Sequence, residues 1–538
     1  MSSNYRPRRY GKPASAKGAS GNAGKRDDAA AAKRDAARRA NLPRRTAYDV
    51  LAAVRDREAY ANLLLPKLLA ERQLTGRDAA LATELAYGTL RGQGTYDAVL
   101  AACSDRPLAK LDPPVLDVLR LGTHQLLNTR VGAHAAVATS VDLAKSVVGL
   151  RVSGYVNAVL RRVAMRDLDA WLAIVAPSQA TDADGYLATR YSHPRWIVAA
   201  YRAALGGQAG AHALAAARQD DAGTVDSSAH AGAQAPSAAS LEGDVEPTGG
   251  AAVTELAAAL AAGNARPKVT MATFPSGAPR EDVIPADAVP GNWSPYAFTL
   301  ESGDPAPLIE AGTAAVQDEG SQLAAIALSR APLQGHGDGA AELWLDMCAG
   351  PGGKARLLAG LAALGKATLT AAELHPHRAA LVAGALAGVT RPRQPPHEVI
   401  VADGTTPAWR EGTFDRVLLD VPCSGLGALR RRPEARWRKS EADLKELTAL
   451  QRDLLRSALR AVKPGGVVAY VTCSPVPAET SDVVTDVVAS LPGIEVLDTP
   501  AVLSDVPAAR AADPRFAQFW PHRHSTDAIF IALLRRTS

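Results

Sequence analysis

Leu343–Lys354 reads LWLDMCAGPGGK, a short apolar run that ends in an acid and continues into a turn rich in glycine. The apolar part predicts a buried strand, and the turn predicts a loop that opens a helix at Gly353. Glycines let a ligand approach the backbone closely, and a helix N-terminus favours a negative group. The turn consists of Cys348, Ala349, Gly350, Pro351, Gly352, Gly353 and Lys354. By itself it is also an ordinary strand-to-helix connection, and it matches neither GxGxxG nor the phosphate loop GxxxxGK[ST].

The same strand-and-helix alternation runs from about residue 311 to the end of the chain. Strands are predicted at Leu343–Met347, Ala367–Ala372, Val399–Ala402, Arg416–Asp420, Val467–Thr472 and Ala528–Leu534. This spacing predicts an α/β domain with a doubly wound, mostly parallel sheet. In such sheets ligands bind at the carboxyl ends of the strands, so the chemistry is expected directly after each strand.

Acidic side chains stand at three of these strand ends. Glu373 lies about 20 residues beyond the glycine turn, where a carboxylate accepts hydrogen bonds from ribose hydroxyls. Asp403 ends the third strand and Asp420 ends the fourth. Each acid alone could be a helix cap. Their repetition at successive strand ends predicts a nucleoside-bearing cofactor.

Two of the four cysteines follow strands at this same edge. Cys423 lies in Asp420-Val421-Pro422-Cys423, and Cys473 directly follows the fifth strand. The chain has no CxxC pair, which argues against a disulfide framework and a zinc site, and we expect no metal. A lone cysteine is usually a small buried hydrophobe, whereas two at one functional edge indicate nucleophilic thiols. The nearby Arg430, Arg431 and Arg432 are expected to lower their pKa.

The remainder of the chain predicts further parts of a multidomain protein. Residues 1–43 form a basic arm that we expect to be disordered, and residues 1–45 carry 13 Lys and Arg against 3 Asp. The composition of the arm is equally consistent with a phosphate-binding segment and with a solubilising extension. Residues 44–165 predict an all-helical domain, and residues 166–310 a small α+β domain with a disordered insertion at 207–251. Without an apolar run of about 18 residues, the protein is expected to be cytoplasmic, with no membrane contact, and a monomer.

These motifs together resemble the Sun family of RNA cytosine-C5 methyltransferases, in its bacterial 16S ribosomal RNA branch called Sun, Fmu or RsmB. Cys348–Lys354 is similar to the family's cofactor loop, Asp420–Gly425 to its DxPCSG element, and Tyr470–Ser474 to its second cysteine motif. The helical region resembles the NusB-type RNA-binding domain of this branch. Glu373 departs from the family pattern, since aspartate is more usual there. The resemblance covers neither the arm nor the insertion.

The resemblance implies an enzyme that binds S-adenosylmethionine and methylates carbon 5 of a cytosine in ribosomal RNA. Its substrate would be either naked RNA or a partly assembled small subunit. The residues leave open which thiol attacks carbon 6 of the base. The resemblance assigns attack to Cys473 and release to Cys423, and it places Asp420 against the N3/N4 edge of the cytosine. We interpret Lys354 as a lysine on the helix surface that could also hold or polarise groups.

Four alternatives remain at this point. The protein could be a non-catalytic RNA-binding factor in ribosome assembly or antitermination, or it could methylate transfer RNA or another RNA. A DNA cytosine-C5 methyltransferase is disfavoured by the second cysteine and by the helical domain. An amino-methyltransferase would carry Asn/Asp-Pro-Pro-aromatic in place of the sequence from Asp420 to Cys423.

Overall fold

The computed structural model describes residues 41–206, 247–275, 283–300, 305–335, 341–387, 389 and 397–538. The predicted arm lies outside the described residues up to residue 40, and the predicted insertion does so up to residue 246. Two boundaries differ from the prediction. Residues 41–43, predicted as the end of the arm, belong to a helix, and the end of the predicted insertion lies in the helix Pro247–Ala262. The described chain forms two compact units, and the first comprises the residues up to Thr89 together with Cys103–Met165.

The first unit is helical, as predicted. Its helices are α1 (41–57), α2 (Ala61–Glu71), α3 (Gly76–Cys103), α4 (Pro113–Asn128), α5 (Ala133–Val147) and α6 (Ser153–Val163), with Leu90–Ala102 of α3 belonging to the second unit. In α6, Val156, Val159, Leu160 and Val163 are buried. This spacing of three and four residues places them on one face of the helix, which packs into the core of the unit.

The second unit begins with helices and a small antiparallel sheet, the α+β arrangement predicted for the middle of the chain. The helices are α7 (Leu168–Val175), α8 (Ala183–Tyr191), α9 (Arg195–Gly206), α10 (Pro247–Ala262) and α11 (Ala306–Glu310). The strands are β1 (Thr270–Thr273), β2 (Val289–Pro290), β3 (Ala297–Thr299) and β4 (Ala314–Val316), in the order β2-β3-β1-β4. Met271 of β1 and Phe298 of β3 pair across this sheet and are fully buried. Because β4 pairs with β1, the sheet extends beyond residue 310.

A larger sheet occupies the rest of the unit. Its strands are β5 (Leu343–Asp346), β6 (Thr368–Glu373), β7 (Glu398–Val401), β8 (Phe414–Asp420), β9 (Val462–Thr472), β10 (Ile494–Val496), β11 (Ala517–Gln518) and β12 (Phe530–Arg536). Among the described residues the order is β10-β12-β9-β8-β5-β6-β7, with β11 paired to β12. The strands from β9 to β7 are mutually parallel, and β12 runs antiparallel to β9. The predicted doubly wound fold is confirmed, and β10 and β11 are strands that the sequence pattern did not predict.

Helices cover both faces of this sheet. The helices of this part of the chain are α12 (Glu319–Arg330), α13 (Gly353–Leu364), α14 (Pro376–Leu386), α15 (Ala435–Arg438), α16 (Glu441–Ala461), α17 (Ser481–Ser490), α18 (Thr499–Val502) and α19 (Pro521–His524). Along β8, Leu418 joins one apolar cluster while Val417 and Leu419 join the cluster on the opposite face. Both faces of the strand are therefore buried, which explains its unbroken apolar sequence. The strand order reverses between β5 and β8, and a ligand crevice is expected at the carboxyl ends of those two strands.

Candidate active site

The glycine turn lies at the carboxyl end of β5, at the point where the strand order reverses. The Ala349 backbone N–H donates to the Ala372 carbonyl over 2.9 Å, and the Arg378 guanidinium donates to the Gly350 carbonyl over 2.6 Å. Gly350-Pro351 is a cis peptide, and Gly352 has a φ of +111°. A Cβ on Gly352 would lie 2.7 Å from the Ala385 Cβ, so the turn requires glycine there for its conformation and for space. Gly353 then begins α13.

Glu373 lies beneath this turn at the end of β6. Its Oε2 accepts the Gly350 N–H at 3.1 Å, and its Oε1 accepts the His375 N–H at 3.0 Å. A Cβ on Gly350 would lie 2.1 Å from Oε2, so glycine allows the turn to approach the carboxylate. A carboxylate offers about four lone-pair sites, which leaves capacity for the hydroxyls of a ribose.

Asp403 is exposed at the end of β7. Its Oδ1 accepts both the backbone N–H and the hydroxyl of Thr405, at 2.9 and 2.7 Å. This is the turn-capping role that any strand-end acid can have. Asp403 nevertheless stands on the same edge of the sheet as Glu373 and the glycine turn, as the sequence predicts.

Asp346 ends β5 and is a site residue that the sequence analysis did not assign. It is buried, and neither carboxyl oxygen has a hydrogen-bond partner of good geometry among the described residues. Burial raises its pKa from 3.8 to about 8, and the charge of Asp420 adds to this, while Lys354 and the Cys348 backbone amide oppose it. A buried polar group without a partner is costly. The rule that assigned Asp420 from its strand-end position would also have selected Asp346.

These features fit S-adenosylmethionine at the edge formed by β5, β6 and β7. The cofactor carries an ammonium group, for which Asp346 offers two buried acceptors that have no well-aligned donor among the described residues. Its ribose hydroxyls need a carboxylate such as Glu373, close to a backbone that has no side chain in the way. The predicted cofactor residues from Cys348 to Lys354 and Glu373 are brought together. Burial and neighbouring acids raise the pKa of Cys348 well above the ordinary thiol range, so this third cysteine is no thiolate.

The two thiols predicted to react lie side by side beyond β8 and β9. These strands are parallel neighbours with Asp420 opposite Val471, and the Cys423 and Cys473 sulfur atoms are 3.2 Å apart. Both side chains are partly buried. The prediction that both cysteines lie at one edge is thus matched by direct contact.

The two thiols have different acidities. The hydrogen bond with Cys423 lowers the pKa of Cys473, and Lys354 lowers it further against the effects of burial and of Asp420. The same hydrogen bond raises the pKa of Cys423, together with burial and the charge of Glu479. These opposite directions favour loss of a proton from Cys473 before Cys423. A thiolate is the nucleophilic form of cysteine.

Lys354 is not on the helix surface, contrary to our interpretation of the sequence. Its ammonium donates to Asp420 Oδ2 over 2.8 Å, and its side chain is only 14% exposed. α13 begins at the crevice, so a residue in its first turn points across the strand ends. The lysine thereby supplies the positive charge near Cys473 that the sequence analysis assigned to the arginines.

Arg430 and Arg431 are instead neutralised in a buried cluster. Arg430 bonds to Asp527 at 2.6 Å and to Asp318 at 2.9 Å, and Arg431 bonds to the same two carboxylates at 2.9 and 2.8 Å. Two positive and two negative groups cancel, so these arginines do not activate the thiols as expected. Arg432 is exposed.

Gly427 joins the three chain segments around the thiols. Its N–H donates to the Cys473 carbonyl over 2.8 Å, and its carbonyl accepts the Ala528 N–H over 2.9 Å. A Cβ here would lie 2.0 Å from the Ala528 carbonyl oxygen. Only glycine permits this approach of three backbones.

No helix in the described ranges is long and apolar enough to cross a bilayer. Within the same ranges, no group of three or more His, Cys, Asp or Glu side chains is arranged to hold a metal ion.

Comparison with known proteins agrees with this geometry. Residues 338–535 match the family described as 16S rRNA methyltransferase RsmB/F, and residues 41–165 match the NusB family. A Mycobacterium tuberculosis protein named "Putative methyltransferase" is 45% identical over 92% of this chain and 96% of its own length. Ribosomal RNA small subunit methyltransferase B of Pseudomonas putida is 30% identical over 85% of this chain and 91% of its own.

The crystal structure of PH0851 shares the fold, with a TM-score of 0.65 at 20% identity, over 92% of this chain and 98% of that chain. The resemblance noted from the motifs is therefore confirmed by relatives that span nearly the whole chain. Together with the glycine turn, the strand-end acids and the paired thiols, these matches place the chain in the S-adenosylmethionine-dependent 16S rRNA methyltransferase RsmB/F family.

Proposed function

We propose that this protein methylates carbon 5 of a cytosine in ribosomal RNA of the small subunit, through a covalent bond between Cys473 and carbon 6 of the base. The observation that carries this proposal is the thiol pair, with sulfur atoms 3.2 Å apart and opposite pKa shifts. Carbon 5 of cytosine is a weak nucleophile. Addition of a thiolate at carbon 6 makes it an enamine-like carbon, and so divides one difficult step into two.

The cofactor would be held by the residues already described. Cys348–Lys354 would surround it, Glu373 would accept the ribose hydroxyls, Asp346 would accept the ammonium, and Asp403 would border the nucleoside. When bound, S-adenosylmethionine supplies an electrophilic methyl group on a sulfonium centre.

Asp420 has two tasks in this proposal. Its Oδ2 is held by Lys354, whereas Oδ1 is left for the N3/N4 edge of the cytosine. When the Cys473 electron pair forms the bond to carbon 6, negative charge moves to N3, and N3 takes a proton from solvent. The Asp420 carboxylate then accepts hydrogen bonds from N3–H and N4–H and stabilises this state.

Cys423 would act in release. Once Cys473 is bonded to carbon, its charge no longer raises the pKa of Cys423, so Cys423 can lose its proton to solvent. The Cys423 thiolate then takes the proton from the methylated carbon 5. The electrons of that C–H bond restore the C5=C6 double bond, Cys473 leaves as a thiolate, and N3 returns its proton to solvent.

Two cysteine variants test the mechanism. With RNA and cofactor present, Cys423→Ala should accumulate an RNA adduct visible as a denaturant-resistant band, and Cys473→Ala should form none. The opposite pattern would overturn the assignment. Cys103→Ala is the control, because that buried cysteine lies in the helical unit, and it should behave as the unchanged protein.

Bisulfite mapping tests the substrate. Small-subunit RNA from a strain that lacks the protein should lose one 5-methylcytosine, and re-expression should restore it. Loss of the mark from transfer RNA alone would contradict the ribosomal assignment.

If calorimetry detects no cofactor binding, the protein is a non-catalytic assembly factor. We expect it to act as a monomer in the cytoplasm on naked or partly assembled ribosomal RNA, with the NusB-type domain contacting RNA.

A further inference from the structure

Glu479 lies between the loops that carry the two thiols, and in the sequence it follows the second cysteine motif, Tyr470–Ser474. It follows β9 in the segment after Cys473 and is fully buried. Its Oε1 accepts the Ser424 backbone N–H at 2.7 Å, and its Oε2 accepts the hydroxyls of Ser424 and Ser474 at 2.5 and 2.6 Å. Ser424 follows Cys423 and Ser474 follows Cys473. One carboxylate is therefore bonded to the residue after each thiol.

Two further side chains hold Glu479 in place, one through its carboxylate and one through its backbone carbonyl. Gln451 on α16 donates to Glu479 Oε1 over 3.2 Å and to the Pro422 carbonyl over 2.9 Å, so it also bonds to the residue before Cys423. The Tyr470 hydroxyl donates to the Glu479 carbonyl over 2.7 Å. Within the part of the chain that the structure describes, no Lys or Arg forms an ion pair with Glu479. Four N–H and O–H donors converge on its two oxygens, an arrangement that suits an ionised carboxylate.

Lys354 and Glu479 each change the pKa of one of the two thiols. The Lys354 ammonium lowers the pKa of Cys473, and the Glu479 charge helps to raise the pKa of Cys423. A negative charge beside one thiol disfavours a second negative charge there, whereas a positive charge beside the other favours one. The two residues thus bias the shared proton in the same direction.

We propose that Glu479 is a positioning residue that ties the Cys423 and Cys473 loops together and keeps their shared proton on Cys423, so that Cys473 is the attacking thiolate. This inference rests on the proposed function, because that proposal is what makes Cys473 the thiol that attacks carbon 6. The arrangement itself is a property of the free protein, because every group involved belongs to this chain. It can therefore be tested without RNA or cofactor.

The test is alkylation of each cysteine by iodoacetamide, followed by mass spectrometry, from about pH 6 to about pH 10. In the unchanged protein Cys473 should react first, at the lower midpoint. Glu479→Gln keeps the shape and one acceptor oxygen but removes the charge. In this variant the Cys423 midpoint should fall, and the ratio of Cys473 to Cys423 rates should drop at least about fivefold, as expected when a nearby charge is lost.

Glu446→Gln is the matched control, because it is the same substitution at an exposed position on α16. It should leave both midpoints unchanged. An unchanged rate ratio in a folded Glu479→Gln protein would overturn the proposal. So would a Glu479→Ala protein that melts at a lower temperature but keeps the ratio, since the role would then be structural only.

The adduct assay separates this inference from the proposed function. If Glu479→Gln shifts the alkylation ratio but no variant ever forms an RNA adduct, the positioning role holds and the covalent mechanism fails. If adducts form as proposed but the ratio does not change, the covalent mechanism holds and the role of Glu479 fails.

Discussion

The Lys354 Nζ lies 2.8 Å from Asp420 Oδ2, and this contact joins the helix after the cofactor turn to the strand that leads to Cys423. The pair connects the predicted cofactor site with the predicted thiol site. It also places a positive charge close enough to Cys473 to lower its pKa. The glycine turn therefore has a second consequence, since it sets the direction in which Lys354 points.

Replacing Lys354 by Met should raise the pKa of Cys473. Loss of a neighbouring opposite charge typically moves a pKa by about one unit, so the alkylation midpoint of Cys473 should rise by about that amount. Lys445→Met, at an exposed position of α16, is the control and should leave the midpoint unchanged. A Lys354→Met midpoint equal to that of the unchanged protein would show that the lysine does not activate the thiol.

Replacing Asp346 by Asn should change the pH dependence of stability. The pKa of Asp346 is raised from 3.8 to about 8 by burial, so between these values the folded protein holds a proton that the unfolded chain releases. This contribution to stability is complete below about pH 4 and is lost as the pH rises through about 8. Asn keeps the shape without titrating. The unfolding free energy of the variant, relative to that of the unchanged protein, should therefore rise by at least about 1 kcal/mol from pH 5 to pH 8.5, as measured by urea unfolding.

The same Asp346→Asn protein should bind cofactor more weakly. If the carboxyl accepts the ammonium of S-adenosylmethionine, calorimetry should show affinity at least about tenfold lower, or about 1.4 kcal/mol. Equal affinity in a folded variant would remove Asp346 from the cofactor site. Asp505→Asn, at an exposed aspartate paired with Arg330, serves as the control.

Replacing Gly427 by Ala should destabilise the segment around the thiols. The new Cβ would lie 2.0 Å from the Ala528 carbonyl oxygen and 2.8 Å from that of Cys473, and neither backbone atom can move cheaply. Overpacking of this kind costs about 1–3 kcal/mol, and adduct formation should fall with it. Gly384→Ala on α14 meets no atom within 4 Å and should be neutral or more stable by up to about 1 kcal/mol, as read from thermal melting.

Replacing Arg430 by Met should destabilise the fold more than most single substitutions do. The change leaves the buried carboxylates of Asp318 and Asp527 with one guanidinium in place of two. Removing one partner of a buried ion pair costs about 3–5 kcal/mol. The exposed Arg432→Met should cost less than about 1 kcal/mol in the same urea titration. Equal losses in the two variants would mean that the buried cluster does not support the site.

The sequence determined the architecture because its patterns are local. Apolar runs such as Val417–Leu419 are buried on both faces, and strands of this kind alternating with helices predicted the parallel sheet and its functional edge. Position at the end of a strand was enough to select Cys423, Cys473, Asp420 and Glu373. The short strands β10 and β11 were missed because they contain only three and two residues, too few for a periodic pattern.

The tertiary structure decided how the selected residues act on one another. The sequence could not show that Lys354 points to Asp420, that Arg430 and Arg431 are neutralised by Asp318 and Asp527, or that Glu479 lies between the two thiol loops. These contacts join residues up to 113 positions apart. Sequence periodicity reports which face of a strand or helix a residue occupies, whereas pKa depends on the charges within a few ångströms, and only the folded chain brings those together.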